Sequence, residues 1–209
     1  MYEEIKQHII NVSCQFIAEG IIYDTAGNIS VRIPQTNHII LTPTNIPYDC
    51  LKPNELPVLD LQGKVVEEGL KPTSETPIHL AVMRAFPEIH AVIHTHSMYA
   101  SAFSINRKPI EKIYLLSMMI GYVPVAEYGT PGSQDLAEKV VKALEENQAR
   151  CVLLANHGAL ITAKNLELAK NLARYLERTA ELQHLAMSHG KMFSIPDEDI
   201  KAYQEEFIL

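Results

Sequence analysis

Tryptophan is absent from this 209-residue chain and cysteine is scarce. Cys14, Cys50 and Cys151 are widely scattered, form no Cys-x-x-Cys pair and are odd in number. That argues against a disulfide framework and suits free thiols in a reducing compartment. Positive charge is in the minority: 18 Lys and Arg against 25 Asp and Glu leave a net charge of −7. Nucleic acid and anionic membrane are therefore poor partners. No apolar run approaches the ~20 residues needed to span a membrane. The opening Met1-Tyr-Glu-Glu-Ile-Lys-Gln-His lacks the basic start and apolar core of a signal peptide. No repeat, low-complexity stretch or linker interrupts the chain. These absences predict a single cytoplasmic, soluble domain over residues 1–209 with no nucleic-acid or membrane partner. They leave room for an anionic small substrate, because a local pocket of backbone N–H groups can hold a phosphate on an acidic protein.

Hydrophobic periodicity supplies the elements. Ile5, Ile9, Val12, Phe16 and Ile17 recur at helical spacing over 3–20, with Gly20 as a stop. Further helices are predicted over 75–85, 134–147, 165–188 and 197–207. Strands are predicted over 29–33, 38–42, 58–61, 64–66, 90–95, 113–116, 122–126, 152–155 and 159–162, with Gly63 as a hairpin turn. Strands grouped in the middle with helices at both ends imply an α/β fold, one sheet covered by helices and with several antiparallel neighbours.

Against that background the histidines stand out. His94 and His96 lie two apart in Ala91-Val-Ile-His-Thr-His-Ser97, and alternate residues of a strand share a face. His157, in Asn156-His-Gly158, follows another apolar run and can bring a third imidazole. Three imidazole nitrogens beside open positions are the donor set of a catalytic zinc site. The remaining histidines, His8, His38, His79, His90, His184 and His189, are read as structural or solvated, although His79 falls one helical turn after Glu75. Gly27-Asn-Ile-Ser30 can turn its backbone N–H groups inward as an anion nest or serve as an ordinary turn. Thr42-Pro-Thr-Asn45 offers hydroxyls and a turn amide to an oxyanion, or only turn chemistry. Thr73 and Ser74 sit at the start of the 75–85 helix, where free N–H groups attract phosphate and where a plain N-cap would also sit. Glu75, in the first turn, is dipole complement if it faces solvent and a proton-transfer group if it faces the metal.

Taken in order, Gly27-Asn-Ile-Ser30, Thr42-Pro-Thr-Asn-Ile-Pro-Tyr48, Lys71-Pro-Thr-Ser-Glu75, His94-Thr-His96, Tyr128-Gly-Thr-Pro-Gly132 and Asn156-His-Gly158 resemble the class II aldolase/adducin family, within its branch of small sugar-phosphate aldolases. The resemblance spans nearly the whole chain. It implies a central, largely antiparallel sheet between helices in a three-layer arrangement. It also implies a homotetramer with active sites between subunits. By position it makes His94, His96 and His157 zinc ligands, Glu75 the acid/base, and Gly27, Asn28, Thr44, Asn45, Thr73 and Ser74 the phosphate-binding set. The chain departs from the family pattern in places. Asn45 stands where the aldolases usually have Gly, Thr73-Ser74 where they have two serines, and Ile120-Gly121 where they have Gly-Gly. Tyr114 is the nearest equivalent of the active-site tyrosine before that pair. The chain ends at Leu209, short of a tail tyrosine that the family lends to a neighbouring subunit.

The resemblance implies zinc-dependent, reversible aldol cleavage of a small phosphorylated sugar, a ketose 1-phosphate. Pentulose-5-phosphate 4-epimerisation and decarboxylation of a 3-oxo-tetronate phosphate are alternatives on the same scaffold. The epimerase branch typically has Asp where this chain has Glu75, which favours the aldolase. A non-catalytic, adducin-like interaction module has no need of the three histidines.

Overall fold

A computed structural model describes residues 2–207. The expectation about the chain end at Leu209 therefore falls outside the described residues. In chain order the elements are α1 (Tyr2–Ala18), β1 (Gly27–Arg32), β2 (His38–Leu41), β3 (Val58–Asp60), β4 (Val65–Glu67), α2 (Thr76–Ala85), β5 (Ala91–Thr95), α3 (Met98–Ile105), α4 (Ser117–Ile120), β6 (Val125–Ala126), α5 (Gln134–Asn147), β7 (Cys151–Leu154), β8 (Gly158–Ala163), α6 (Leu166–Met187) and α7 (Asp197–Phe207).

Local chemistry sets several boundaries. α1 buries Ile9, Val12 and Phe16 on one stripe, and Gly20 just beyond it takes a left-handed φ of +71°. Ser133 and Asn165 cap α5 and α6 by accepting from the N–H groups of Leu136 and Leu168. Gly63 makes the β3–β4 turn at φ +85°.

The strands form one sheet in the order β4-β3-β2-β1-β5-β8-β7-β6. Every neighbouring pair is antiparallel except β6 with β7. Alternation along each strand builds a core on both faces. Ile29, Val31, Ile93, Leu153 and Ile161 pack with residues of α1, α3 and α6. Ile39, Leu41, Val92, Val152 and Leu160 pack with residues of α2 and α5. The result is the three-layer arrangement of helices, largely antiparallel sheet and helices that the class II aldolase resemblance implies. Each fully buried aliphatic side chain contributes ~1.5–3 kcal/mol of apolar transfer. By the same alternation Asn28, Ser30 and His94 lie on the face that carries α2, and this places the candidate site between sheet and helix.

Three expectations are corrected. The strand predicted over 113–116 does not form. The Ser117 hydroxyl accepts from the Tyr114 N–H and donates to the Tyr114 carbonyl, closing a turn that leads into α4. Tyr114 and Leu115 stay 39% and 53% exposed, and among the described residues the run pairs with no strand. Second, Gly27 and Asn28 are not a positive-φ nest but the first residues of β1, paired with Thr95 and His94. Gly27 is needed for closeness, since a Cβ there would lie 2.9 Å from Ile22 Cγ1 and 3.0 Å from the His94 carbonyl. Third, α3 was not anticipated from the sequence. Its first N–H groups, on Tyr99 and Ala100, are satisfied from a distance by the carboxylate of Glu177 on α6.

Candidate metal centre

β5 lies in the middle of the sheet, between β1 and β8. His94 is inside it and His96 just past its end, on the same face. The β7–β8 turn, with Asn156 at φ +58°, returns the chain so that His157 joins them. Gly158 then enters β8 with almost no room beside it. A Cβ at this position would lie 2.3 Å from the Thr95 carbonyl, 2.8 Å from His96 Cδ2 and 3.3 Å from His94 Cε1. Asn156-His-Gly158 thus combines a left-handed turn residue, a donor and the space for the other two rings.

The three imidazoles form a compact cluster with ring centroids 4.6, 4.7 and 4.9 Å apart. One nitrogen from each lies within 4.8 Å of the others. His94 Nδ1 is 2.9 Å from the Ala159 carbonyl, which accepts a hydrogen bond, so Nδ1 carries the proton and Nε2 faces the cluster. That Nε2 is only 2.8 Å from His96 Nε2. Burial pushes His96 down to about 4 and lowers His157, with the neighbouring histidines adding to both. Three ring nitrogens converging on one point are the donor set for a divalent cation.

Glu75, at the N-cap of α2, closes the cluster. Its Oε2 is 3.0 Å from His94 Nε2 and its Oε1 is 3.3 Å from His157 Nε2. Oε2 also accepts from the Asn28 amide at 2.9 Å, whereas Oε1 is buried without a hydrogen-bond partner. Burial raises the Glu75 carboxyl, but His94, the Asn28 amide and His157 together outweigh burial and hold it well below the usual carboxylate range. A buried, ionised carboxylate oxygen with no donor, facing three imidazoles, fits a cation or a transferable proton better than a closed structural network.

The loops expected to hold phosphate are brought together beside this cluster. The Thr44 N–H donates to the Lys71 carbonyl and the Thr73 N–H to the Thr42 carbonyl, so the two segments are zipped. Asn45 adopts φ +56°, a conformation that Gly also tolerates and most residues avoid. Thr73 is buried next to Glu75, while Ser74 is exposed. The Tyr128–Gly132 loop lies against the same place, as a Cβ on Gly132 would be 2.7 Å from the Ser74 carbonyl. Tyr114 hydrogen-bonds through its backbone to Ser117, and no hydrogen bond or ring contact joins it to the histidines among the described residues.

Sequence reasoning undervalued His79. It is fully buried and spans from Ser30 Oγ, 2.6 Å from Nδ1, to Asn28 Oδ1, 2.5 Å from Nε2. Burial pushes it down to about 3. The available signal was the Glu75-to-His79 spacing, one helical turn, which puts both on the face of α2 that meets the sheet. Tyr48 was also missed as support: its buried hydroxyl donates to the Gly27 carbonyl at 2.5 Å and anchors the start of β1.

Comparison with known proteins gives a family and close relatives. Residues 7–184 match the family model described as Class II Aldolase and Adducin N-terminal domain. An L-fuculose phosphate aldolase of Haemophilus influenzae is 35% identical over 189 residues, covering 90% of this chain and 85% of that protein. A 3-oxo-tetronate 4-phosphate decarboxylase of the same organism is 32% identical, covering 94% of each. Among solved structures, an L-fuculose 1-phosphate aldolase superposes with a TM-score of 0.93 at 33% identity, covering 99% of this chain and 97% of that one.

Proposed function

The chain belongs to the class II aldolase and adducin family, and from that premise we propose that it is a zinc-dependent aldehyde-lyase. Its substrate is a ketose 1-phosphate of the fuculose 1-phosphate type, cleaved reversibly to dihydroxyacetone phosphate and a small aldehyde. The observation that carries the reading is the convergence of Glu75 on His94, His96 and His157.

His94, His96 and His157 hold the cation in this proposal. When bound, it supplies Lewis-acid stabilisation of the negative charge that develops on the substrate oxygens as the carbon–carbon bond breaks. Glu75 moves the proton: through Oε1 it takes the C3 proton of dihydroxyacetone phosphate in the synthetic direction and returns it in cleavage. A base positioned in this way typically contributes ~10²–10⁴-fold. The hydroxyls of Thr44, Thr73 and Ser74, with backbone N–H groups of the turn at Asn45, orient the reacting carbons by holding the phosphate. The Asn28 side chain is engaged by His79 and Glu75 and its backbone is paired with His94 in the sheet, so Asn28 supports the site through Glu75 and is not counted among the phosphate donors. Tyr114 is retained as a candidate second proton donor only if another subunit's site receives it. The proposal includes one domain over the whole chain and a cytoplasmic homotetramer. Exposed Met98, Ile105, Leu115 and Phe193 support burial against further copies, and sedimentation velocity checks the stoichiometry.

The test is metal analysis of the purified protein, followed by a panel of ketose 1-phosphates and pentulose 5-phosphates. Release of dihydroxyacetone phosphate that is lost on chelation and restored by zinc is expected. Full activity after exhaustive chelation, with no bound metal, would overturn the reading. Ser74→Ala should chiefly raise KM for the phosphorylated substrate. The decarboxylase relative supports a second reading on the same residues, and carbon dioxide release from a 3-oxo-tetronate 4-phosphate distinguishes it.

A further inference from the structure

A line of hydrogen bonds runs from the sheet to Oε2 of Glu75. Ser30 and Asn28 stand on one face of β1, and His79 stands on the facing side of α2. Ser30 Oγ is 2.6 Å from His79 Nδ1, His79 Nε2 is 2.5 Å from Asn28 Oδ1, and Asn28 Nδ2 is 2.9 Å from Glu75 Oε2. Ser30 and His79 are completely buried, and Asn28 and Glu75 are each 6% exposed, so a hydrogen bond left unmade along this line is costly.

Only one arrangement of protons satisfies this line. The ionised carboxylate only accepts, so the Asn28 NH₂ faces Glu75 and the amide oxygen faces His79. That oxygen also only accepts, so the neutral His79 ring carries its single proton on Nε2. Nδ1 is then an acceptor, and the Ser30 hydroxyl donates to it. Every donor points toward Glu75, an alignment in which each bond polarises the next. An Asn28 amide turned over would set its oxygen against the acceptor Glu75 Oε2 at one end and its NH₂ against the His79 Nε2–H, another donor, at the other, at the full cost of buried unpaired groups.

We propose that His79 is a positioning residue for proton transfer: it locks the Asn28 amide so that its NH₂ holds Glu75 Oε2, which leaves Oε1 as the oxygen that takes and returns the substrate proton. The proposal rests on the reading of Glu75 as the base and adds the device that fixes its carboxylate. It assigns Asn28 an orienting task that phosphate binding alone would not require. It also explains why the ring of a buried histidine, one turn along the helix from the base, is hydrogen-bonded to two groups on β1, one of which holds that base.

The test uses the metal-loaded full chain and dihydroxyacetone phosphate in D₂O, with deuterium uptake at C3 followed by NMR. His79→Leu removes both ring nitrogens and should slow exchange on the order of 10²-fold, the scale of a misplaced catalytic group. Metal content and KM for the phosphorylated substrate should stay unchanged. His79→Gln, whose amide can donate near the Nε2 position, should recover most of the rate. In a Glu75→Gln background the same His79→Leu change should add less than about threefold, because a residue acting through Glu75 has nothing left to position. An equal loss in both backgrounds, or no loss with His79→Leu alone, overturns the proposal. Wild-type exchange in Glu75→Gln by itself would instead remove Glu75 as the base, and the proposal with it. Should His79→Leu fail to fold, the wild-type protein decides: ¹⁵N imidazole spectra must show His79 with its proton on Nε2, and a proton on Nδ1 overturns the arrangement.

Discussion

Replacing Gly158 with alanine inserts one methyl group where the histidine cluster has no room for it. The new Cβ would lie 2.3 Å from the Thr95 carbonyl, a backbone group fixed in β5, and 2.8 and 3.3 Å from carbons of the His96 and His94 rings. The carbonyl cannot yield without disturbing the Thr95–Ala159 pairing, so relief must come partly from β8 moving and partly from the rings tilting. Overpacking of this kind costs ~1–3 kcal/mol. If the metal-free protein relieves the strain by tilting the rings, metal binding must restore it, and the association constant falls by roughly 5- to 150-fold at about 1.4 kcal/mol per factor of ten. That agrees with the ~10–100-fold typical when groups supporting metal ligands are changed. The assay is competition for zinc against a chromophoric chelator, alongside thermal unfolding of the metal-free protein. Gly69→Ala is the control, because the atoms nearest its Cβ would be backbone atoms of Pro57, Glu55 and Leu56, 2.6–2.8 Å away and remote from the histidines. It should lower Tm and leave zinc affinity unchanged. Wild-type zinc affinity in Gly158→Ala would refute the claim that Gly158 makes space for the ligands.

Glu75→Gln should keep the metal and lower turnover by at least ~10²-fold, with C3 proton exchange falling in parallel; unchanged exchange removes it from the chemistry. Tyr48→Phe leaves the Gly27 carbonyl without its donor in a buried place, and urea denaturation should register a loss of ~1–3 kcal/mol. A loss below measurement would mean that another donor replaces the hydroxyl. The buried His79 should make the protein acid-sensitive. The unfolded imidazole takes a proton near its ordinary 6.5 and the folded one only near 3, so between those values the unfolded state binds more protons and stability falls as pH falls. The contribution approaches about 1.4 kcal/mol per pH unit and is absent from His79→Gln; identical pH profiles for the two proteins would contradict it.

Periodicity along single segments was enough for most elements. α5 occupies 134–147 as predicted, because its apolar stripe and its Ser133 cap are both local. His94 and His96 share a face because any strand alternates, and the ordered motifs carried the family. What the sequence could not decide depends on partners remote in the chain. The run 113–116 is also β-prone, but among the described residues it pairs with no strand and closes on Ser117 instead. α3 begins after Ser97, whose hydroxyl makes no cap bond, and Glu177 on α6 takes the first N–H groups instead. The same holds at the site. Residue types named the donors, but only the β1–β5 register sets Asn28 opposite His94, and only the packing of α2 on that face brings His79 between Ser30 and Asn28. Periodicity fixes which side of its own element a residue occupies, whereas hydrogen-bond partners within 3 Å depend on how separate elements are stacked, and that is a property of the folded whole.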